Sequence, residues 1–155
     1  MRSILLPMLT SALLSMAWVN GTLLQVEHDG SKYLLCSLDH AFTDEEAKQY
    51  PIELTVRYPV GDTRHIPAAM IKNNSPEPIR VGTGFPIEAN VGNLRGKSSA
   101  NFLFRSPAED AGQDFKFKEG LEGHYIIISS NKHANVDYET WQHLTKTHLM
   151  YNVNN

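Results

Sequence analysis

The chain has one cysteine, Cys36, among its 155 residues, so no internal disulfide is open to it. It has no apolar run suited to crossing a bilayer. The longest, over residues 4–18, is broken by Pro7, Thr10, Ser11 and Ser15, and no stop-transfer pattern follows. It has no large excess of either charge, with 14 Lys and Arg against 17 Asp and Glu. Such mild acidity favours solubility and gives poor non-specific grip on nucleic acid. There is no Gly-x-Ser-x-Gly elbow, no His-Glu-x-x-His pair, and no Walker or dinucleotide loop around Gly82-Thr83-Gly84 or Gly92 to Gly96. Internal repeats, low-complexity runs and charge blocks are also missing.

What is present begins with an export signal. Arg2 supplies a short positive region, the apolar run follows, and Val19 and Gly21 offer small residues for cleavage. Residues 1–21 are therefore expected to be a signal peptide and residues 22–155 a single globular domain of 134 residues. Losing Arg2 with the leader leaves 13 cations against the 17 anions. A domain of this size buries roughly two thirds of its unfolded surface and needs no bridge to fold. Hydrophobic content of 41% belongs to a folded globule. A secreted chain with one thiol also suits a reducing destination, such as another cell's cytoplasm, or a periplasm-like space. Cys36, within Tyr33-Leu34-Leu35-Cys36, reads as a small buried hydrophobe, with only Lys32 nearby to activate it. Of two glycosylation sequons, the one at Asn20 would be lost on cleavage. The one at Asn73 falls in a Pro/Asn-rich stretch and is expected to be a surface acceptor site.

Hydrophobic periodicity predicts strands over 23–28 and 32–38 around the turn Asp29-Gly30-Ser31. Thr43 with Glu46 three residues on forms a capping box, so a short helix should start at Asp44 and stop before Pro51. Strict alternation over 52–58 marks a half-buried strand, with shorter candidates at 66–71, 78–81 and 101–105. Residues 82–96 and 106–114 read as polar surface loops. Within them, 82–96 and 106–113 are the best candidates for contact surfaces. The uninterrupted run over 124–129 predicts a central strand covered on both faces. Residues 136–141 are expected to pair with it across the turn at Asn131-Lys132, while 138–151 fits either a helix or a hairpin. Strands outnumber helices, which predicts an α+β fold with a short helix on an antiparallel sheet. An all-β sandwich is the alternative.

Chemistry-bearing residues do not converge in the sequence. His143 and His148 stand five apart, on different helix faces, and His124 and His133 flank a turn. No metal ligands and no cofactor are therefore expected. Glu109-Asp110 reads as solvated surface. Arg95 and Lys97 around Gly96 make a cationic knuckle too small alone to hold RNA.

The order of short words along the chain carries a resemblance. An early Tyr33…Cys36 precedes the helix, then come Tyr58-Pro59, Phe85-Pro86-Ile87 and the late Tyr125-Ile-Ile-Ile strand followed by Asn131. This resembles the fungal guanyl-specific ribonucleases and, more closely, the ribonuclease-like secreted effectors of powdery mildew fungi. In that family a Tyr-x-Cys precedes the helix, a catalytic Glu stands just before Phe-Pro-Ile, and a later strand carries a catalytic Arg. Here the first spacing is one residue longer and the C-terminal cysteine is missing. Gly84 stands where the Glu would be, His124-Tyr125 where the Arg would be, and Val60 where a His would follow Tyr-Pro. Ribonuclease cleavage needs a base, an acid and a cation for the phosphorane, so no catalytic residue is expected. A second, shorter likeness covers residues 126–141, which are similar to the C-terminal hairpin of the periplasmic protease inhibitor ecotin.

The resemblance implies a secreted, non-enzymatic fungal effector of ribonuclease-like fold, acting in the host cell cytoplasm to suppress plant defence. Its implied partners are host proteins, with RNA a lesser candidate and no membrane. The alternative is a periplasmic or secreted β-rich protease inhibitor or immunity-type binding protein. An active ribonuclease using His124 or His65 is a third reading.

Overall fold

The computed structural model describes residues 21–57, 68–85 and 92–155. The expected leader apart from Gly21, together with Tyr58-Pro59, Val60, His65 and Pro86-Ile87, lies outside these residues. The first hairpin joins β1 (Leu23–His28) to β2 (Ser31–Ser37). Asp29 and Gly30 both take positive φ, 48° and 78°, as a two-residue turn matched to strand twist requires. The expected helix follows as α1 (Asp44–Gln49) with its capping box intact. Thr43 Oγ1 accepts from the Glu46 amide, and Glu46 Oε1 accepts from the Thr43 amide.

Five further strands come next or near: β3 (Ile52–Arg57), β4 (Ala68–Asn73), β5 (Ile79–Gly82), β6 (Gly92–Leu94) and β7 (Ser99–Leu103). After β7 a short helix α2 (Pro107–Ala111) replaces the expected surface loop. Ser106 caps it and Pro107 opens it, a start that proline's fixed φ favours. The remaining elements are β8 (Phe115–Phe117), β9 (Tyr125–Ser129), α3 (Tyr138–Leu149) and β10 (Met150–Asn152).

All strand pairs are antiparallel. A five-stranded sheet runs β1-β2-β9-β5-β6, a three-stranded sheet β3-β4-β7, and β8 pairs with β10. The expected central strand is central: every residue of β9 is buried. Alternation along the five-stranded sheet separates two apolar layers. Leu34, Cys36, Val81, Ile126 and Ile128 face the three-stranded sheet, meeting Ile52, Ile71 and Phe102. Tyr33, Leu35, Tyr125 and Ile127 face the other way, onto Trp141, Leu144 and Leu149 of α3.

The fold is thus α+β, in three layers. Two details differ from the sequence reading. The early helix α1 buries none of its residues, and it is α3 that packs on the sheet. Residues 136–141 do not pair with β9, so the ecotin-like hairpin is not formed. Asp137 instead caps α3 by accepting the Thr140 amide at 2.9 Å. From there Trp141, Leu144, Thr145 and Leu149 recur at helical spacing and are buried. The sandwich alternative is met only in part, by the apposition of the two larger sheets.

Candidate functional site

Position 84, where the ribonuclease pattern would place its base, is closed to any side chain. Gly84 has φ +87°, and a Cβ there would lie 2.6 Å from the Trp141 indole. The register of β5 on β9 sets Gly84 opposite Tyr125, beyond the end of β5 at Gly82. In that gap the Tyr125 carbonyl accepts from Trp141 Nε1 at 3.0 Å. The glycine is therefore the floor on which the indole sits.

The other singled-out residues are dispersed. Tyr33 donates from its hydroxyl to the Asn135 carbonyl at 2.7 Å, on the helix side of the sheet. Cys36 points to the opposite side and is fully buried. Burial pushes its thiol well above the ordinary range, with the Glu46 and Asp39 carboxylates adding to the effect. Ellman's reagent is therefore expected to leave the native protein unlabelled and to titrate one thiol only after unfolding. Rapid labelling of the native state would overturn the placement.

Asn73 is the clearest correction. It is not at the surface but fully buried at the end of β4. Its Nδ2, the atom a glycan would need, donates to the Glu77 and Leu94 carbonyls at 2.8 and 3.1 Å. Its Oδ1 accepts from the Ser75 amide and hydroxyl at 3.0 and 2.7 Å. The sequon encodes a loop-closing asparagine, and this fold has no room there for a sugar.

Of Glu109-Asp110, Glu109 is exposed as expected and Asp110 is the correction. The Asp110 side chain is 15% exposed and receives two hydrogen bonds from Arg105, at 2.9 and 2.7 Å. Glu109 stands 3.6 Å from the same guanidinium, which also lies over the Phe85 ring. Gln142 of α3 donates to the Asp110 carbonyl. This cluster ties the segment after β7 to α2 and α3, while Ala108, Glu109, Gly112 and Gln113 stay exposed. Gly82-Thr83-Gly84 is buried and offers no contact surface. Both residues of the Arg95–Lys97 knuckle are exposed, and Lys97 Nζ donates to the Asn74 carbonyl at 2.6 Å.

The histidines gather in a way the sequence did not reveal. His28 at the end of β1 and His143 on α3 bring their rings to 4.7 Å. No group of three His, Cys, Asp or Glu among the described residues has the geometry to hold a metal ion. His148 is held below the usual histidine range by burial, then by Lys118, His143 and His28. His124 is lowered by burial, with Glu109 opposing. Protons thus bind these two rings more readily in the unfolded chain, at about pH 6.5. Stability present above that pH is lost as the pH falls toward the folded values. The melting temperature is expected to be lower at pH 5 than at pH 7.5, and His148→Gln to flatten that dependence. A pH-independent melt would contradict it.

Two clefts remain. One, about 270 Å³, is lined by polar groups including Asp39, Glu122 and Ser37. The other, about 470 Å³, opens at one end of the interface between the two larger sheets, and its lining is mainly apolar. Leu34, Ile52, Ile79 and Ile128 form its floor, with Tyr50 beside them. Gln25, Lys32 and Glu77 supply polar groups, and the Tyr50 hydroxyl donates to Gln25 Oε1 at 2.9 Å. A concave, largely apolar cleft with a few convergent polar groups is the usual form of a binding site. Its residues come from β1, β2, β3, β5 and β9, so no local spacing announced it. No protein-family model matches the chain, and no curated protein matches it significantly.

Proposed function

We propose that this protein is a secreted, non-enzymatic fungal effector on a ribonuclease-like scaffold, which binds host proteins and suppresses plant defence. The observation that carries the binding role is the 470 Å³ apolar cleft between the two larger sheets. Position 84 supports the same direction, because the indole of Trp141 occupies the space a catalytic glutamate would need. The export signal and the word order along the chain support secretion from a plant-pathogenic fungus. Expression of the protein in host tissue is expected to increase susceptibility to infection, scored as pathogen colonisation. No change in any compatible host would overturn the effector reading. The purified protein is expected to leave RNA intact, and RNA cleavage that disappears in His124→Ala would assign it catalysis instead.

A further inference from the structure

We propose that an extended segment of a partner protein adds as a new strand along the free edge of β1 and seats an apolar side chain in the neighbouring cleft. This names the partner chemistry of the binding reading above and rests on it.

The argument begins with hydrogen-bond register. Among the described residues β1 ends the five-stranded sheet and pairs with β2 alone. The Ser37 amide donates to the Thr22 carbonyl at 2.9 Å, in the register that pairs Leu24 with Leu35, Val26 with Tyr33 and His28 with Ser31. In an antiparallel ladder hydrogen-bonded and non-hydrogen-bonded pairs alternate. The intervening residues Leu23, Gln25 and Glu27 therefore turn their N–H and C=O groups away from β2. That gives three donor–acceptor positions along a six-residue edge containing neither proline nor lysine, two common devices for blunting an edge.

The cleft lies where such a strand could use it. Gln25 shares a sheet face with its cross-strand partner Leu34, and both line the cleft. A long apolar side chain on an added strand that points to the same face would lie beside Gln25 and reach toward Leu34, one strand further in. The charges favour a peptide over a small apolar solute. Lys32 enters the lining from β2 and Glu77 from the β4–β5 connection, so the lining carries both signs on separate elements. An extended peptide with an acidic and a basic side chain flanking an apolar anchor satisfies the edge, the floor and both charges. A small apolar molecule would address the floor alone. This is recognition by strand addition, with backbone bonds for affinity and alternate side chains for specificity.

The test uses a phage-displayed random heptapeptide library selected on the purified protein. The best peptide is then synthesised with one backbone amide N-methylated at a time. Binding is expected to fall about fivefold at every second position and to change little between them, since each lost hydrogen bond is worth about 1 kcal/mol. Gln25→Pro removes an outward amide that β2 does not use, a change edge strands accept. It is expected to weaken the peptide by a similar factor and to lower the melting temperature only slightly, through loss of the exposed Tyr50–Gln25 hydrogen bond. Lys32→Glu should shift the selected sequences away from acidic residues.

A library that yields no binder overturns the proposal, as does N-methylation loss that fails to alternate. If the apolar dye 1-anilinonaphthalene-8-sulfonate binds and no peptide is selected, the cleft belongs to a small ligand. A host partner whose binding ignores both Gln25→Pro and Lys32→Glu removes the edge mechanism while leaving the binding-protein reading in place. Unaltered susceptibility in every host removes that reading itself.

Discussion

Trp141→Ala is expected to destabilise the protein by about 3–5 kcal/mol, the range for deleting a large buried aromatic. The indole is fully buried against Tyr125 and Gly84, and its Nε1 caps the Tyr125 carbonyl where β5 no longer can. Truncation would leave a cavity between α3 and the five-stranded sheet and an unmet buried carbonyl. Folded domains are stable by only about 5–15 kcal/mol, so the loss takes a large part of the whole. Urea denaturation followed by circular dichroism would read it. Trp141→Phe keeps most of the packing and loses the donor, and is expected to cost about 1–3 kcal/mol. Gly84→Ala attacks the same contact from the other side, combining a left-handed backbone with a methyl driven into the indole. If Trp141→Ala and Gly84→Ala both left the denaturation midpoint unchanged, the packing of α3 described here would be wrong.

The second large effect is at Asn73. Asn73→Asp is expected to destabilise more than Asn73→Ala, reversing the order that similarity of shape would suggest. Alanine takes the Asn73 donor from the Leu94 carbonyl, at about 1–3 kcal/mol for a buried unmet group, while the Glu77 carbonyl keeps the Ser75 hydroxyl. Aspartate keeps the shape but replaces the donor with an acceptor, setting a buried charge against two carbonyl oxygens. Both variants should loosen the connection between β4 and β5, seen as faster amide exchange at Ser75. Peptide mass spectrometry of protein made in a glycosylating host is expected to find Asn73 unmodified. A glycan on Asn73 in folded protein would refute its burial.

These residues show where local reading succeeds and where it fails. The Asp29-Gly30 hairpin, the Thr43–Glu46 capping box and the central strand over 125–129 were legible because each is decided within a few residues. A turn needs only its positive-φ residues, a cap only its N3 partner, and a doubly covered strand only an unbroken apolar run. Residues 136–141 misled because Val, Tyr, Thr and Trp favour strands, yet the Asp137 cap and the Trp141–Leu144 spacing give the helix a buried face. Asn73 and Asp110 misled for a related reason. Both are polar types in polar stretches, and part of what covers them arrives from distant segments, Leu94 for Asn73 and Gln142 for Asp110, which Arg105 also pairs from five residues away.

The sequence by itself determined the single thiol, the mild acidity, the missing catalytic words and the antiparallel, strand-rich class, because composition and short-range periodicity control those. Only the tertiary structure decided which helix covers the sheet, why position 84 must be glycine, and that an apolar cleft lies beside β1, the end strand of its sheet among the described residues. Each depends on surfaces that meet across long separations, such as Gly84 with Trp141 or Gln25 with Tyr50 and Ile128. Packing among segments far apart in the chain leaves no local signature, since residues that touch in the core need share no spacing along the backbone.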